Sequence, residues 1–136
     1  MSEIKDDKKS MFPIVEGTIV NILGSDWVIH VTDLVKSPIY SRFKVDGLTL
    51  SDTKEIVITD CSYADSWTSD REKVTFFKKV ARHEIIHAFL AESGLEECTL
   101  QYNKAWSQNE EMIDWFAIQL PKIFNVYKEL GILEVD

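Results

Sequence analysis

Between Val15 and Asp60 the apolar residues recur with a period of two. In the run DWVIHVT, Trp27, Ile29 and Val31 fall on one side of an extended chain, with Val28, His30 and Thr32 on the other, which is the pattern of a half-buried strand. Gly24-Ser25 separates it from the run GTIVNIL. Glycine accepts the positive φ of a type II′ turn, so the two runs are expected to form a hairpin. A second turn is expected at Asp46-Gly47, between YSRFKV and LTL, and the run EIVITD, residues 55–60, adds a further strand. An antiparallel or mixed sheet of four or five strands follows.

The periodicity then changes. Ser69-Asp70-Arg71-Glu72 has the form of a capping box, in which Ser69 satisfies an amide of the first turn and Glu72 reaches back, so a helix is expected from about Asp70. No Gly or Pro interrupts the chain until Gly94, which can close the helix in the left-handed conformation. A second helix is expected from about Asn109 to Leu130, closed by Gly131. Pro121 lacks the amide that would bond Ala117 and is expected to kink or split it. Strands followed by helices predict an α+β fold.

Length and composition narrow the picture. The 136 residues suit one domain, 1–136, with residues 1–12 expected as a flexible polar N-terminus. A chain 45% hydrophobic and 28% charged, with five Gly and three Pro, is neither disordered nor collagen-like. Fifteen basic against twenty-three acidic residues leave a formal charge of −8. That is the wrong sign for a phosphate backbone, so neither nucleic acid nor an anionic membrane is expected as partner. No apolar run approaches the ~18 residues of a transmembrane helix or the ~7–15 of a signal-peptide core, and a cytoplasmic location is expected. Cys61 and Cys98 show no CxxC spacing and are expected as free thiols.

The informative residues are His83-Glu84-Ile85-Ile86-His87. Helical positions i and i+4 differ by about 40° in direction, so His83 and His87 share a face and can share a cation. Glu84 points about 100° away from His83. It is expected beside the metal rather than on it, as the general base that takes a proton from water. The motif arises by chance in roughly one chain of this length in a few hundred. Its apolar neighbours Phe76, Phe77, Val80, Phe89 and Leu90 make two imidazoles and a carboxylate costly without a partner.

Zinc needs a third protein ligand and an open position. Metzincins place glycine and a third histidine where this chain has Leu90 and Ser93, which excludes them. The second helix begins instead with Asn109-Glu110-Glu111-Met112-Ile113-Asp114. Glu110 is the expected third ligand, and Asp114, one turn later, is expected to accept the free ring N–H of His83 or His87. Glu111 or Asp114 are the alternatives to Glu110. Glu92, Glu96 and Glu97 lie too close to His87 in sequence to fold back readily. His30 and Tyr102 are expected to have packing or surface roles, with oxyanion binding as the alternative for each.

His83, Glu84, His87, Glu110 and Asp114 together resemble the gluzincin metallopeptidases, whose H-E-x-x-H is followed on a later helix by E-x-x-x-D. Within that clan the chain is more similar to the small ImmA/IrrE-type metallopeptidases, through Glu110, Phe116 and Ala117. Ile113 stands in place of an alanine, and Ile86 in place of the usual glycine. The stretches HEIIHAFLAESGL and EEMIDWFAIQLPKI also resemble short HExxH proteins of phages and prophages. The resemblance covers roughly residues 55–121. It implies a zincin-like minimal domain and a cytoplasmic zinc metallopeptidase that hydrolyses a peptide bond of a protein, such as a host or phage regulator. The alternative is a binding or adaptor protein of phage or prophage origin whose zinc site is structural or vestigial. For a peptidase, one sheet edge is expected to border the metal cleft and to take the substrate as an added strand.

Overall fold

The computed structural model of the chain describes residues 10–94 and 110–134, without the side chains of Glu110, Ile113, Asp114 and Ala117. Four strands precede the helices: β1 (Thr18–Ile22), β2 (Ser25–Thr32), β3 (Gly47–Leu50) and β4 (Glu55–Thr59). They form one mixed sheet in the order β1-β2-β4-β3. The β1/β2 and β3/β4 pairs are antiparallel, while β2 and β4 are parallel. Composition explains the order. Ile56, Val57 and Ile58 are fully buried in succession, as befits a strand apolar on both faces with a neighbour on each side. All four residues of β3 are half-buried, and β3 takes the edge.

Both expected turns differ in detail. Ile22 pairs with Ser25, so the hairpin turns on Leu23-Gly24 rather than Gly24-Ser25. With φ of +52° and +96° it is type I′ rather than II′, the form that matches the right-handed twist of the flanking strands. Asn21 secures it, accepting the Gly24 N–H at 3.0 Å and donating to Asp26 at 3.1 Å. At Asp46-Gly47 there is no turn. The Asp46 carbonyl accepts the Thr59 N–H at 2.9 Å, so the chain is already in the ladder, and Gly47 opens β3. The YSRFKV segment is a 3-10 turn over Ser41–Phe43 and not a strand.

Helix α1 spans Asp70–Glu92 and begins with the expected capping box: Ser69 Oγ accepts the Glu72 N–H, and Glu72 Oε1 accepts the Ser69 N–H. Its buried stripe, including Phe77, Ala81, Ile85 and Ala88, recurs every three or four residues and packs on Val20, Trp27, Ile29, Ile56 and Ile58 of the sheet. Helix α2 is a single element, Glu110–Leu130, that runs through Pro121 without splitting. Pro121 is exposed, where a carbonyl deprived of its amide can turn to water. Trp115 Nε1 donates to Ser93 Oγ, and Tyr127 Oη donates to the Arg82 carbonyl, both at 2.8 Å. The two contacts set α2 antiparallel along α1.

Of the N-terminus expected to be flexible over 1–12, residues 1–9 lie outside the described residues, while Phe12 is buried and stacks on Phe77 with centroids 4.3 Å apart. Cys61 is free and buried, and burial pushes its thiol up to about 11. Cys98 lies outside the described residues. Among the described residues no helix is long and apolar enough to cross a membrane.

Glu92 ties the end of α1 to the sheet, accepting from Ser25 Oγ at 3.1 Å and Trp27 Nε1 at 2.8 Å and pairing with Lys54 at 2.9 Å. Burial opposes its ionisation. The Lys54, Trp27 and Ser25 hydrogen bonds outweigh that effect and hold the carboxyl below its ordinary 4.5. Its stabilising contribution is therefore present above pH 4.5 and lost as pH falls through the lowered value. Glu92→Ala should cost about 1–3 kcal/mol in urea unfolding at neutral pH, and the difference from the unsubstituted protein should narrow below pH 4.

Candidate metal centre

His83 and His87 leave α1 on one face, with their Nε2 atoms 3.2 Å apart. Two imidazole nitrogens held about 2.0–2.1 Å from one tetrahedral ion stand about 3.3 Å apart. The pair thus already has the separation that a shared zinc ion imposes. At 100° per residue, Val80 and Glu84 flank this face on one side, Arg82 and Ser93 on the other. The first flank packs on β3, and the second carries the two contacts to α2. The histidines therefore lie between a strand and a helix.

Glu84 turns into the protein and is 6% exposed. A carboxylate so placed is costly unless it is hydrogen-bonded. Thr49 Oγ1, from β3, donates to Glu84 Oε1 at 2.6 Å and lies 3.1 Å from the Glu84 carbonyl oxygen. Gly47, two residues earlier, explains how the strand comes so close. A Cβ there would stand 2.6 Å from Val80 Cγ1 and 2.8 Å from Glu84 Oε2. Glycine is needed at this position for contact with the helix, not for a turn.

A cavity of about 400 Å³ opens beside these groups, walled by Val45, Phe76 and Val80, with His83 and Glu84 at one end and Asp46 and Lys79 on its border. The free side of β3 faces outward next to it. Because Asp46 and Thr59 exchange a ladder hydrogen bond, the register makes Leu48–Val57 and Leu50–Glu55 the other hydrogen-bonded pairs. The amides and carbonyls of Gly47 and Thr49 consequently point to the open edge. Among the described residues no strand pairs with that side.

Glu110 opens α2, and Asp114 follows one turn later, but both side chains lie outside the described residues, as do Glu96, Glu97 and Tyr102. Among the described residues no third His, Cys, Asp or Glu joins His83 and His87. Glu111 is exposed on α2, and Glu92 is engaged with β2 and Lys54. His30 lies on the sheet face opposite Trp27 and Ile29, away from α1. It is held between Glu16 at 2.8 Å and Glu55 at 3.0 Å, and the hydrogen bond it donates to Glu16, above all, raises its pKa against the opposing effect of burial. It takes no part in the centre.

Two imidazoles at the spacing of a tetrahedral ion are two of the three protein donors that an open zinc site needs, and a buried carboxylate stands on the adjoining residue. Thr49 was not legible in the sequence, because a threonine 35 residues from the carboxylate it serves leaves no spacing signal. Gly47 did leave one, as a glycine, but its position after Asp46 suggested a turn. Comparison of the chain with protein-family models, with curated proteins and with solved structures gives no match.

Gly47→Ala should therefore destabilise the fold by about 1–3 kcal/mol through overpacking. Adding Val80→Ala should restore part of that loss by removing the nearest obstructing methyl. A thermal-denaturation double-mutant cycle measures the coupling. Additive effects would show that the strand and helix do not meet there.

Proposed function

We propose that the chain is a zinc-dependent metallopeptidase with a zincin-like minimal fold, acting on an extended segment of a protein. The observation that carries this reading is the convergence of His83 and His87 at 3.2 Å beside the buried, Thr49-bonded Glu84. A structural zinc site has no use for such a carboxylate. Zinc held by His83, His87 and Glu110 would supply a Lewis acid that makes water a competent nucleophile near neutral pH.

Glu84 accepts the proton of the attacking water and returns it to the leaving amine. Thr49 fixes one carboxylate oxygen by donating to Oε1, which leaves Oε2 for proton transfer. Asp114 would orient a histidine ring by accepting its second N–H. The open edge of β3 supports a peptide over a small molecule: Gly47 and Thr49 offer main-chain donors and acceptors to an added antiparallel strand, and the adjoining cavity takes an apolar side chain. The formal charge of −8 favours neutral or basic segments.

Purified protein should hold about one zinc per chain, placed by metal-edge anomalous scattering at His83 and His87. Glu84→Gln should keep the metal and lose roughly 10²- to 10⁴-fold in cleavage of an unfolded-peptide library. His83→Ala should lose both metal and cleavage, and Glu110→Ala should weaken zinc binding. Zinc on Cys61 or Cys98 would overturn the reading. Full metal occupancy with no cleavage by the unsubstituted protein would favour the adaptor alternative.

A further inference from the structure

Phe76 bounds the cavity beside His83. That ring also walls a second hollow, of about 250 Å³, formed with Tyr63 and Trp67 in the segment between β4 and α1. A third, of about 450 Å³, shares Val45 and Asp46 with the first and Tyr63 with the second. The three form a row of separate hollows with shared walls, which leads from His83 along the N-terminal half of α1. At its far end Trp67 is 70% and Tyr63 41% exposed. Their rings meet at 60° with centroids 6.2 Å apart, two walls of a corner open to solvent. So much aromatic surface outside the core calls for an occupant.

Charge indicates which one. Asp46, Asp65 and Glu72 stand around the corner: Asp46 faces the Tyr63 hydroxyl at 3.5 Å, Glu72 lines the hollow, and Asp65 is exposed. The cation lining this hollow, Lys73, is buried and paired with Asp65. Lys44 and Lys79 border the other two hollows. Asp46 borders the same two hollows as Lys79 and Lys44, so the carboxylate in excess at the corner is Glu72, beside the Asp65–Lys73 pair, and such an aromatic corner suits a cation whose stem is apolar.

Direction and distance follow from the helix. Thr49 lies beside Glu84, and Val45 shares a cavity with Phe76, so β3 runs the same way as α1. A chain antiparallel to β3 passes His83 and continues, C-terminally, toward Trp67. Lys73 and Val74 lie about 15 Å up the axis from His83 at about 1.5 Å per residue, a span that an extended peptide crosses in about four or five residues.

We propose that Trp67 and Tyr63 form a remote subsite for an arginine or lysine side chain of the peptide, about four or five residues C-terminal to the bond held at His83 and His87. The side-chain stem lies on the rings, and the cation sits over Trp67 within reach of Asp65 and Glu72. The inference rests on the peptidase reading for its register. Its ligand chemistry comes from the corner itself.

The test uses the full chain and labelled alanine–serine peptides that carry one leucine, with a single arginine walked through the positions after it. Binding is read by fluorescence polarisation on zinc-loaded Glu84→Gln, and cleavage on the unsubstituted protein. Affinity should peak with arginine about four or five residues past the bond and fall roughly fivefold to thirtyfold when glutamate replaces it or when Trp67 becomes alanine. Trp67→Phe should recover part of the loss, and kcat should not move. Three results would overturn the subsite: no dependence on arginine position, equal binding of leucine there, or unchanged affinity on Trp67→Ala. Arginine-dependent binding at Trp67 without cleavage by the unsubstituted protein would sink the hydrolytic reading and leave the subsite standing. Cleavage indifferent to arginine and to Trp67 would do the reverse.

Discussion

The close approach of β3 to α1 at Gly47 is the constraint from which the rest of the candidate site follows. With no Cβ at 47, the strand lies against Val80 and Glu84, which brings Thr49 within 2.6 Å of the Glu84 carboxylate. The same approach leaves the outer amides of β3 beside the histidine face. A bulkier residue would move the strand, and the hydrogen bond to Glu84 and the open edge would shift with it.

Among the charged side chains of α1 that are buried or half-buried, three are each matched by a partner from a different stretch of the chain. Lys73 pairs with Asp65, Glu84 with Thr49, and Glu92 with Ser25, Trp27 and Lys54. Since leaving any one of them unpaired would cost about 1–3 kcal/mol or more, the three contacts penalise both rotation and sliding of the helix. Arg82 adds a fourth contact on the α2 side, donating to the Ile132 carbonyl at 3.0 Å. The two histidines, with Lys79 a turn before His83, face outward between the strand and α2.

How far the sequence could be read depended on whether a signal was local. The capping box at Ser69, the uninterrupted run to Gly94 and the i, i+4 histidines are carried by neighbouring residues, and each stands where expected. The β1/β2 hairpin was legible, but its turn lay one residue early. The parallel pairing of β2 with β4 was not legible, nor was the place of β3 at the edge, because the runs themselves do not say which neighbours they choose. Thr49 and the reason for Gly47 belong to that long-range category. His30 shows the converse: a residue able to do chemistry is occupied by Glu16 and Glu55 on the opposite face of the sheet.

The dependence of Glu84 on Thr49 also bears on the order in which the parts become competent during folding. The histidine pair is made by a single turn of helix and needs nothing beyond α1. The setting of Glu84 needs a contact across 35 residues and the packing of the edge strand β3 on α1. Loop closure makes such contacts late relative to helix formation. A chain with α1 formed and β3 undocked would already have its two imidazole nitrogens on one face while the Glu84 carboxylate is still without its threonine.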